Sequence, residues 1–438
     1  MTGDFDFDTL ALHAGQTPDA RHGSRAVPIH QTTSYVFDST EQAAARFNME
    51  IGGHIYSRLT NPTVAVLEQR VAALEGAAAC TCTASGMSAL FLTVMALCSQ
   101  GDHIVSSSQM YGANINLFQH TLSRYGITTS FVPPNDPSAF EAAIQPNTKL
   151  IFGEVIGNPG LDILDVPKIA EIAKRHNVPL GIDCTFNTPY LMQPIAHGAN
   201  ILIHSLTKWM GGHGVAMGGA IVDAGNFDWG ATPGKFPMIN GTHYSYQGVN
   251  LWEEYGPVAF TMRVRSEGML NVGPCMSPTN AFHLLQGIET LGLRMERHQD
   301  NTAKLLSFLT EHDQIAWVKH PSLPDHADHE KARELLPKGA GSIIACGVKG
   351  GRDGGRAFIE NVKLASHLAN VGDAKTLVIH PGSTTHSHLT PEAMNAAGLT
   401  DDMLRISVGL ESADDIIADF SHALKAAKRA TTVREAAE

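Results

Sequence analysis

The chain has 438 residues, of which 43% are hydrophobic and 17% charged, as expected for a soluble protein too long for a single core. Its net charge of −12, without a basic stripe, argues against nucleic-acid binding. Six scattered cysteines predict neither a disulfide framework nor a metal site, and as reduced thiols they indicate a cytoplasmic protein. The acidic N-terminus has no apolar signal region, and no apolar run approaches the ~20 residues of a membrane span.

Few periodic segments occur in residues 1–60, which are predicted to form an extended arm. Beyond it, helices and strands alternate, a signature of a mostly parallel sheet. An i, i+3, i+7 apolar pattern that ends at Gly76 predicts a helix over residues 64–76. Further helices are predicted over 87–99 and 166–177, and strands over 103–107, 150–156, 180–183 and 201–205. The short strands are apolar throughout, so we expect helices on both faces of the sheet.

Residues 223–278 interrupt this alternation, and their many aromatic side chains predict a packed insertion rather than disorder. A long helical pattern follows over 281–311. Strands at 342–346 and 376–379 then alternate with helices in a smaller α/β unit, and a last helix is predicted from Ser412 to about Ala430. We therefore expect a larger domain over residues 61–290 and a C-terminal domain over 291–438.

The most informative motif is Ser205-Leu206-Thr207-Lys208, which follows an apolar strand and leads into a glycine-rich turn. A lysine amine can form a Schiff base with an aldehyde, while the hydroxyls and free backbone N–H groups of such a turn can hold a phosphate. Taken alone, the motif is more often a solvated lysine at a strand end.

Four further motifs follow predicted strands or begin the helices beyond them, where open α/β sheets bind ligands. Ser85-Gly86-Met87 is either an anion site at a helix start or an ordinary helix cap. Tyr111 could stack on a planar ring or lie at the edge of the core. Asn158 could bond a phenolate oxygen or belong to a plain turn. Asp183 could pair with a protonated ring nitrogen or cap a helix.

A Schiff-base lysine together with an aspartate for a pyridinium nitrogen is the requirement of pyridoxal phosphate. At this point the chain resembles the Cys/Met-metabolism family of pyridoxal-phosphate-dependent enzymes, from Thr9 to the last helix. Besides the motifs above, the resemblance rests on Thr9-Leu10-Ala11-Leu12-His13-Ala14-Gly15, Tyr56-Ser57-Arg58, Asn61-Pro62-Thr63, Pro381-Gly382-Ser383 and Leu404-Arg405-Ile406-Ser407-Val408-Gly409-Leu410-Glu411.

The resemblance implies an α/β, aspartate-aminotransferase-like fold (fold type I), with a large, mostly parallel-sheet domain that binds the cofactor and a smaller C-terminal α/β domain. It implies three catalytic residues: Lys208 as the Schiff-base lysine, Asp183 at the pyridine nitrogen and Tyr111 stacked on the ring. Other implied cofactor contacts are Ser85, Gly86, Met87, Asn158, Ser205 and Thr207, with Tyr56 and Arg58 coming from the neighbouring subunit. Arg405 is implied to bind the substrate α-carboxylate, near Asn158, Ser383 and Tyr56. Physical chemistry agrees, because the two parallel N–H groups of a guanidinium match the two oxygens of a carboxylate.

Within the family, the chain resembles the O-acetylhomoserine sulfhydrylase branch in its length, its insertion after Lys208 and the motif Arg294-Met295-Glu296-Arg297-His298. Met87 and Gly214-Val215-Ala216 depart from that branch. The branch implies γ-replacement on O-acetylhomoserine by sulfide or a small thiol, giving homocysteine or methionine and acetate, in a cytoplasmic dimer of dimers with small-molecule partners. Three alternatives stay open: a cystathionine γ-synthase, a methionine γ-lyase and a catalytically inactive cofactor-binding protein.

Overall fold

The computed structural model of the protein describes residues 5–243, 248–381, 384 and 400–435. No helix in these ranges is long and apolar enough to cross a membrane. The strands are β1 (Ala79–Thr83), β2 (His103–Ser107), β3 (Thr128–Val132), β4 (Thr148–Glu154), β5 (Leu180–Asp183), β6 (Ile201–Ser205), β7 (Gly219–Asp223), β8 (Thr242–His243), β9 (Val249–Asn250), β10 (Ile315–Lys319), β11 (Ile343–Val348), β12 (Ser366–His367), β13 (Leu377–Ile379) and β14 (Met403–Ser407).

The helices are α1 (Phe7–His13), α2 (Thr40–Phe47), α3 (Pro62–Glu75), α4 (Gly86–Leu97), α5 (Gly112–Asn116), α6 (Pro137–Ala142), α7 (Val166–Arg175), α8 (Thr188–Leu191), α9 (Pro237–Asn240), α10 (Leu251–Tyr255), α11 (Ala259–Arg263), α12 (Pro278–Ile288), α13 (Leu291–Glu311), α14 (His329–Leu335), α15 (Gly351–Asn361) and α16 (Ala413–Glu435). Two of them, α1 and α2, lie in the predicted arm. Gly76 ends α3 in the left-handed conformation, as the sequence predicts.

Seven strands form the larger sheet, in the order β1-β7-β6-β5-β4-β2-β3. The strands β2 to β6 run parallel, whereas β7 is antiparallel to both of its neighbours. Ile151 belongs to one buried apolar cluster, and the adjacent Leu150 and Phe152 belong to another on the opposite face. Apolar layers therefore cover both faces of a mostly parallel sheet, which confirms the predicted fold class.

The aromatic insertion is packed, as predicted. Phe227, Trp229, Phe236 and Phe260 contact one another with ring centroids 4.6–5.7 Å apart. They belong to the same apolar cluster as Phe152, so the insertion covers one face of the larger sheet. Tyr244 and Tyr246 of this segment lie outside the described residues.

The smaller sheet has the strand order β10-β11-β14-β13-β12 and is antiparallel except between β12 and β13. A third apolar cluster joins it to α13, α15 and α16 through residues such as Leu305, Phe358 and Phe420. The helices and strands of this unit confirm the smaller α/β arrangement expected at the C-terminus.

The predicted helix over residues 281–311 is two helices, because the chain leaves helical geometry at Thr290 (φ −115°, ψ 19°). Helix ends leave carbonyl groups without intrahelical partners. Here the guanidinium of Arg294 donates to the carbonyl of Gly287, at 2.7 Å, and so satisfies one of them. Periodicity continues across the break, which is why the sequence pattern did not reveal it.

Candidate active site

A cavity of about 330 Å³ lies between the two sheets, at the carboxyl ends of the parallel strands. Most of the predicted site residues line it together: Ser85, Gly86, Met87, Tyr111, Asn158, Asp183, Ser205, Thr207, Lys208 and Arg405. The larger sheet supplies all of these except Arg405, which lies on β14 of the smaller sheet. The cavity is therefore complete only where the two sheets meet.

Lys208 lies in the turn that follows β6, where its backbone N–H donates to the Ser205 carbonyl at 3.1 Å. Its amine hydrogen-bonds to the side-chain oxygen of Asn370. Burial, and then the positive charge of Arg405, lower the pKa of this amine. A larger fraction of it is therefore uncharged near neutral pH than in an exposed lysine, as a nucleophile or a base requires.

The start of α4 forms one end of the cavity. The Ser85 hydroxyl caps the helix by accepting from the Ser88 N–H at 3.2 Å, which leaves the N–H groups of Gly86 and Met87 for an anion. A Cβ on Gly86 would lie 2.9 Å from the Ser205 Cβ, so only glycine allows the helix start to approach this hydroxyl closely. Backbone N–H groups and hydroxyls at a helix N-terminus fit a phosphate.

Asp183 is a buried carboxylate at the end of β5 whose nearest donors are neutral. Its oxygens accept from the Thr185 N–H at 2.9 Å and from the Asn114 amide at 3.4 Å. Burial raises the pKa of Asp183, although these hydrogen bonds oppose the shift. A buried carboxylate gains most from a cationic partner, so this group fits a protonated ring nitrogen.

Sequence reasoning missed a second carboxyl group, Glu154, which stands beside Asp183. Glu154 accepts from the Tyr111 N–H at 2.7 Å and from the Asn114 amide at 3.1 Å. Burial, and then the charge of Asp183, raise the pKa of Glu154 well above its usual value. The sequence predicts a strand over 150–156, with Glu154 inside it. In the structure β4 ends at Glu154, whose side chain lines the cavity.

Asn370 and Thr185 also line the cavity and were not predicted. Thr185 follows Asp183 by two residues, so its place at the strand end was a usable signal. Asn370 belongs to no periodic segment, and nothing in its local sequence indicates that it reaches Lys208.

Tyr111 and Arg405 line the cavity together with Asn158. The side chain of Tyr111 is 49% exposed, so one face of its ring is open to a planar ligand. The guanidinium of Arg405 donates to the side-chain oxygen of Asn158 at 3.4 Å. Burial lowers the pKa of Arg405, yet an arginine stays charged at neutral pH and can bind a carboxylate through two N–H groups.

Two predicted residues, Tyr56 and Arg58, are not among the described residues that line this cavity. Tyr56 and Arg58 lie on the arm, with the guanidinium 5.2 Å from the centre of the tyrosine ring. Ser383 lies outside the described residues. The cavity within one chain thus combines a partly buried lysine, a helix start that fits a phosphate, a buried carboxylate and an arginine whose guanidinium fits a carboxylate.

Comparison with known proteins agrees with this geometry. A family model of Cys/Met-metabolism PLP-dependent enzymes matches residues 8–425. A homocysteine synthase of Schizosaccharomyces pombe is 49% identical over 422 residues, which cover 96% of this chain and 98% of that protein. An O-acetyl-L-homoserine sulfhydrylase of Leptospira meyeri is 45% identical over 434 residues, which cover 97% and 98%.

Among solved structures, a protein described as an O-acetylhomoserine (thiol)-lyase of Campylobacter jejuni matches with a TM-score of 0.93 and 39% identity. The match covers 96% of this chain and 100% of that one, which carries a pyridoxyl-lysine monophosphate. Family, relatives and structural neighbour agree over nearly the whole length. The chain belongs to the Cys/Met-metabolism family of enzymes that depend on pyridoxal phosphate.

Proposed function

We propose that the protein catalyses γ-replacement on O-acetylhomoserine, in which sulfide displaces acetate to give homocysteine. The names of the relatives, homocysteine synthase and O-acetyl-L-homoserine sulfhydrylase, support this substrate pair. The observation that carries the proposal is the meeting of Lys208 and Arg405 in one cavity. An amino-acid substrate needs a partner for its carboxylate and a base at its carbon chain, and these two residues supply them.

Bound pyridoxal phosphate supplies an electron sink that makes the Cα proton of an attached amino acid acidic. Lys208, Asp183, Tyr111 and the pocket at α4 would hold it. The Asp183 carboxylate would accept a hydrogen bond from a protonated ring nitrogen and compensate its positive charge. Burial and the charge of Asp183 raise the pKa of Glu154, which opposes a second negative charge beside Asp183.

Lys208 and Arg405 have separate roles toward the substrate. Arg405 binds the α-carboxylate through its two N–H groups and thereby fixes Cα near the lysine. With the cofactor bound, the neutral amine of Lys208 would remove the Cα proton, give that proton up to the conjugated system that the cofactor supplies, and only then take a proton from Cβ. The C–O bond at Cγ breaks and acetate leaves with its electrons. The sulfur of HS⁻ then bonds to Cγ, and Lys208 returns protons to the carbon chain.

A single set of product analyses tests the proposal. With O-acetylhomoserine and sulfide, the purified holoenzyme is expected to form homocysteine and acetate in equal amounts. Cystathionine formed faster from cysteine than homocysteine from sulfide would identify a γ-synthase. An oxoacid and ammonia released at a comparable rate without any thiol would identify a γ-lyase. No turnover in any arm would overturn the assignment as an enzyme of this reaction class.

We also propose that the catalytic unit is a dimer and that dimers pair into tetramers. Within the described ranges, the cationic side chains that line the cavity are Lys208 and Arg405, so a phosphate dianion finds no cationic partner of its own there. Arg58 lies on the arm beside Tyr56 and could supply this partner to a neighbouring subunit. Apolar side chains exposed on the arm, such as Val36 (92%) and Phe47 (59%), support its burial in an interface.

Subunit mixing tests the shared site. Arg58→Ala is expected to weaken cofactor retention, whereas Lys208→Ala abolishes the reactive amine. If the sites are shared, each mixed dimer contains one site with both lesions and one with neither. Random 1:1 re-association should then restore about a quarter of the parental activity. Activity equal to the average of the two single variants would show that Arg58 serves its own chain or none.

For the compartment, we propose the cytoplasm. All six cysteines are free thiols, and five of them are buried. Reduced, unpaired thiols are usual in the cytosol. Fractionation of cells that express the tagged protein from its natural start would test this assignment, and recovery from an oxidising compartment would contradict it.

A further inference from the structure

The helix α13 carries three buried polar side chains on one face. Arg294, His298 and Asn301 follow one another at spacings of four and three residues, and all three are at most 5% exposed. These side chains hydrogen-bond to backbone carbonyl groups of the described residues. Arg294 and His298 are the first and last residues of the motif Arg294-Met295-Glu296-Arg297-His298.

Arg294 holds the segment that follows the reactive lysine. Its guanidinium donates to the carbonyl of Trp209 at 2.6 Å and to that of Met210 at 3.0 Å. Burial lowers the pKa of Arg294 to about 10, and its hydrogen-bond partners are carbonyls rather than carboxylates. Burying a charge without a counter-ion is unfavourable. The guanidinium instead serves three backbone carbonyls, those of Trp209, Met210 and Gly287, and so ties the segment after Lys208 to α13.

Gly212 lies directly against the guanidinium of Arg294. Its N–H donates to the Lys208 carbonyl at 2.7 Å, and its own carbonyl accepts from the Ala374 N–H at 2.7 Å. A Cβ at Gly212, where φ is +72°, would lie 2.1 Å from the Arg294 guanidinium. Only glycine allows both this backbone conformation and the guanidinium beside it.

His298 and Asn301 hold the strand end that follows Arg405. The Nδ1–H of His298 donates to the Val408 carbonyl at 2.7 Å. Burial lowers the pKa of His298 to about 4, so the ring is neutral and a single tautomer makes this bond. The Asn301 amide donates to the carbonyls of Gly409 and Glu411 at 2.9 and 2.8 Å. The same helix thus contacts the segments that carry both functional cations.

We propose that Arg294 and His298 are positioning residues of the reaction. Arg294 fixes the backbone from which the Lys208 amine reaches the substrate, and His298 fixes the strand that presents Arg405. The two are four residues apart, about 6 Å along a rigid helix, so α13 sets the spacing between base and carboxylate site. The inference rests on the proposed function for the identity of the substrate, and on geometry for the rest.

Paired variants test the inference in the cofactor-loaded enzyme. Arg294→Met removes the hydrogen-bond donors, and Arg294→Lys keeps the positive charge but not the planar set of guanidinium N–H donors. His298→Leu removes the donor, and His298→Asn keeps an amide N–H near the position of Nδ1. Arg297→Met, an exposed arginine of the same helix, is the matched control. The measurements are kcat per bound cofactor, KM for O-acetylhomoserine and the pH midpoint of the visible absorption band of the lysine–cofactor link.

Arg294→Met should lower kcat per bound cofactor about tenfold or more and shift the midpoint of the band, since a charge-assisted hydrogen bond is lost. KM should change little. His298→Leu should raise KM about tenfold and leave the pH midpoint of the band unchanged. His298→Asn should have a KM close to that of the parent. Arg297→Met should match the parent in all three quantities.

The inference is overturned if kcat per bound cofactor, KM and the midpoint all stay at parental values while only the melting temperature falls. If Arg294→Met does not fold, Arg294→Lys decides the question, and parental values in that variant would also overturn the inference. Failure of the parent to convert O-acetylhomoserine would refute the proposed function instead. The titration of the absorption band needs no substrate and would still show whether Arg294 positions Lys208.

Discussion

Replacing Arg405 by lysine separates the charge of this residue from its geometry. Arg405 is partly buried on β14, and its side chain donates to Asn158 at 3.4 Å. Lysine keeps the positive charge but can direct one N–H group, not two, at a carboxylate. Losing one charge-assisted hydrogen bond costs about 1.5–3 kcal/mol, which is roughly a 10- to 140-fold change in an equilibrium constant.

The loss should appear in KM for O-acetylhomoserine. The carboxylate is bound equally before and during the reaction, so kcat should stay within about threefold of the parent. Steady-state kinetics with saturating sulfide measure both constants. Arg356→Lys, at an exposed arginine that pairs with Glu360 at 2.8 Å, is the control. A KM within about twofold of the parent in Arg405→Lys would refute the role of Arg405 in binding the carboxylate.

Three further predictions concern charge. Arg405→Met removes one of the two causes that lower the pKa of Lys208, so this pKa should rise and the pH–rate profile should move to higher pH; an unmoved profile would contradict this. Asp183→Asn should keep the fold and lower kcat roughly 10- to 1000-fold, because an opposite charge shifts a pKa by about 1–3 units; a kcat near that of the parent would make Asp183 structural. His320 has its pKa lowered by burial from 6.5 to about 4, so its contribution to stability is present above pH 6.5 and is lost as the pH falls toward 4. Between pH 7.5 and 5 this histidine accounts for about 2 kcal/mol of lost stability, so His320→Gln, which keeps a donor for the Gly341 carbonyl, should show a smaller drop in melting temperature; equal drops would disprove the assignment.

Most of the cavity residues that the sequence predicted lie at or just beyond the ends of parallel strands, whereas Arg405, on the antiparallel strand β14, was implied by the family resemblance. Asp183 ends β5 and Lys208 follows the adjacent strand β6, and parallel strands place their carboxyl ends at a common edge. Gly86 begins a helix directly after β1, so its place also follows from local order. Short apolar strands and the helices between them carried enough signal to bring these residues together.

The parts that the sequence did not predict depend on tertiary packing. Asn370 reaches Lys208 from 162 positions further along the chain, and no local pattern encodes that contact. The break between α12 and α13 does not interrupt the apolar periodicity of the sequence. Arg294, in the helix turn after the break, donates to the Gly287 carbonyl at the end of α12. Glu154 stands where a strand ends one or two residues earlier than its apolar run suggests. Each of these features is set by a neighbour in space.

The position of the cavity between the two sheets has a consequence for how the chain folds during its synthesis on the ribosome. The cavity draws on residues from Ser85 to Arg405, and β14 lies near the end of the chain. During translation, the larger sheet is exposed before the strand that carries Arg405 exists. Contacts between distant segments form late because closing long loops costs entropy. A ribosome-bound chain arrested before residue 400 should therefore have an open, hydrated lysine, and stable loading with the cofactor should come only after release.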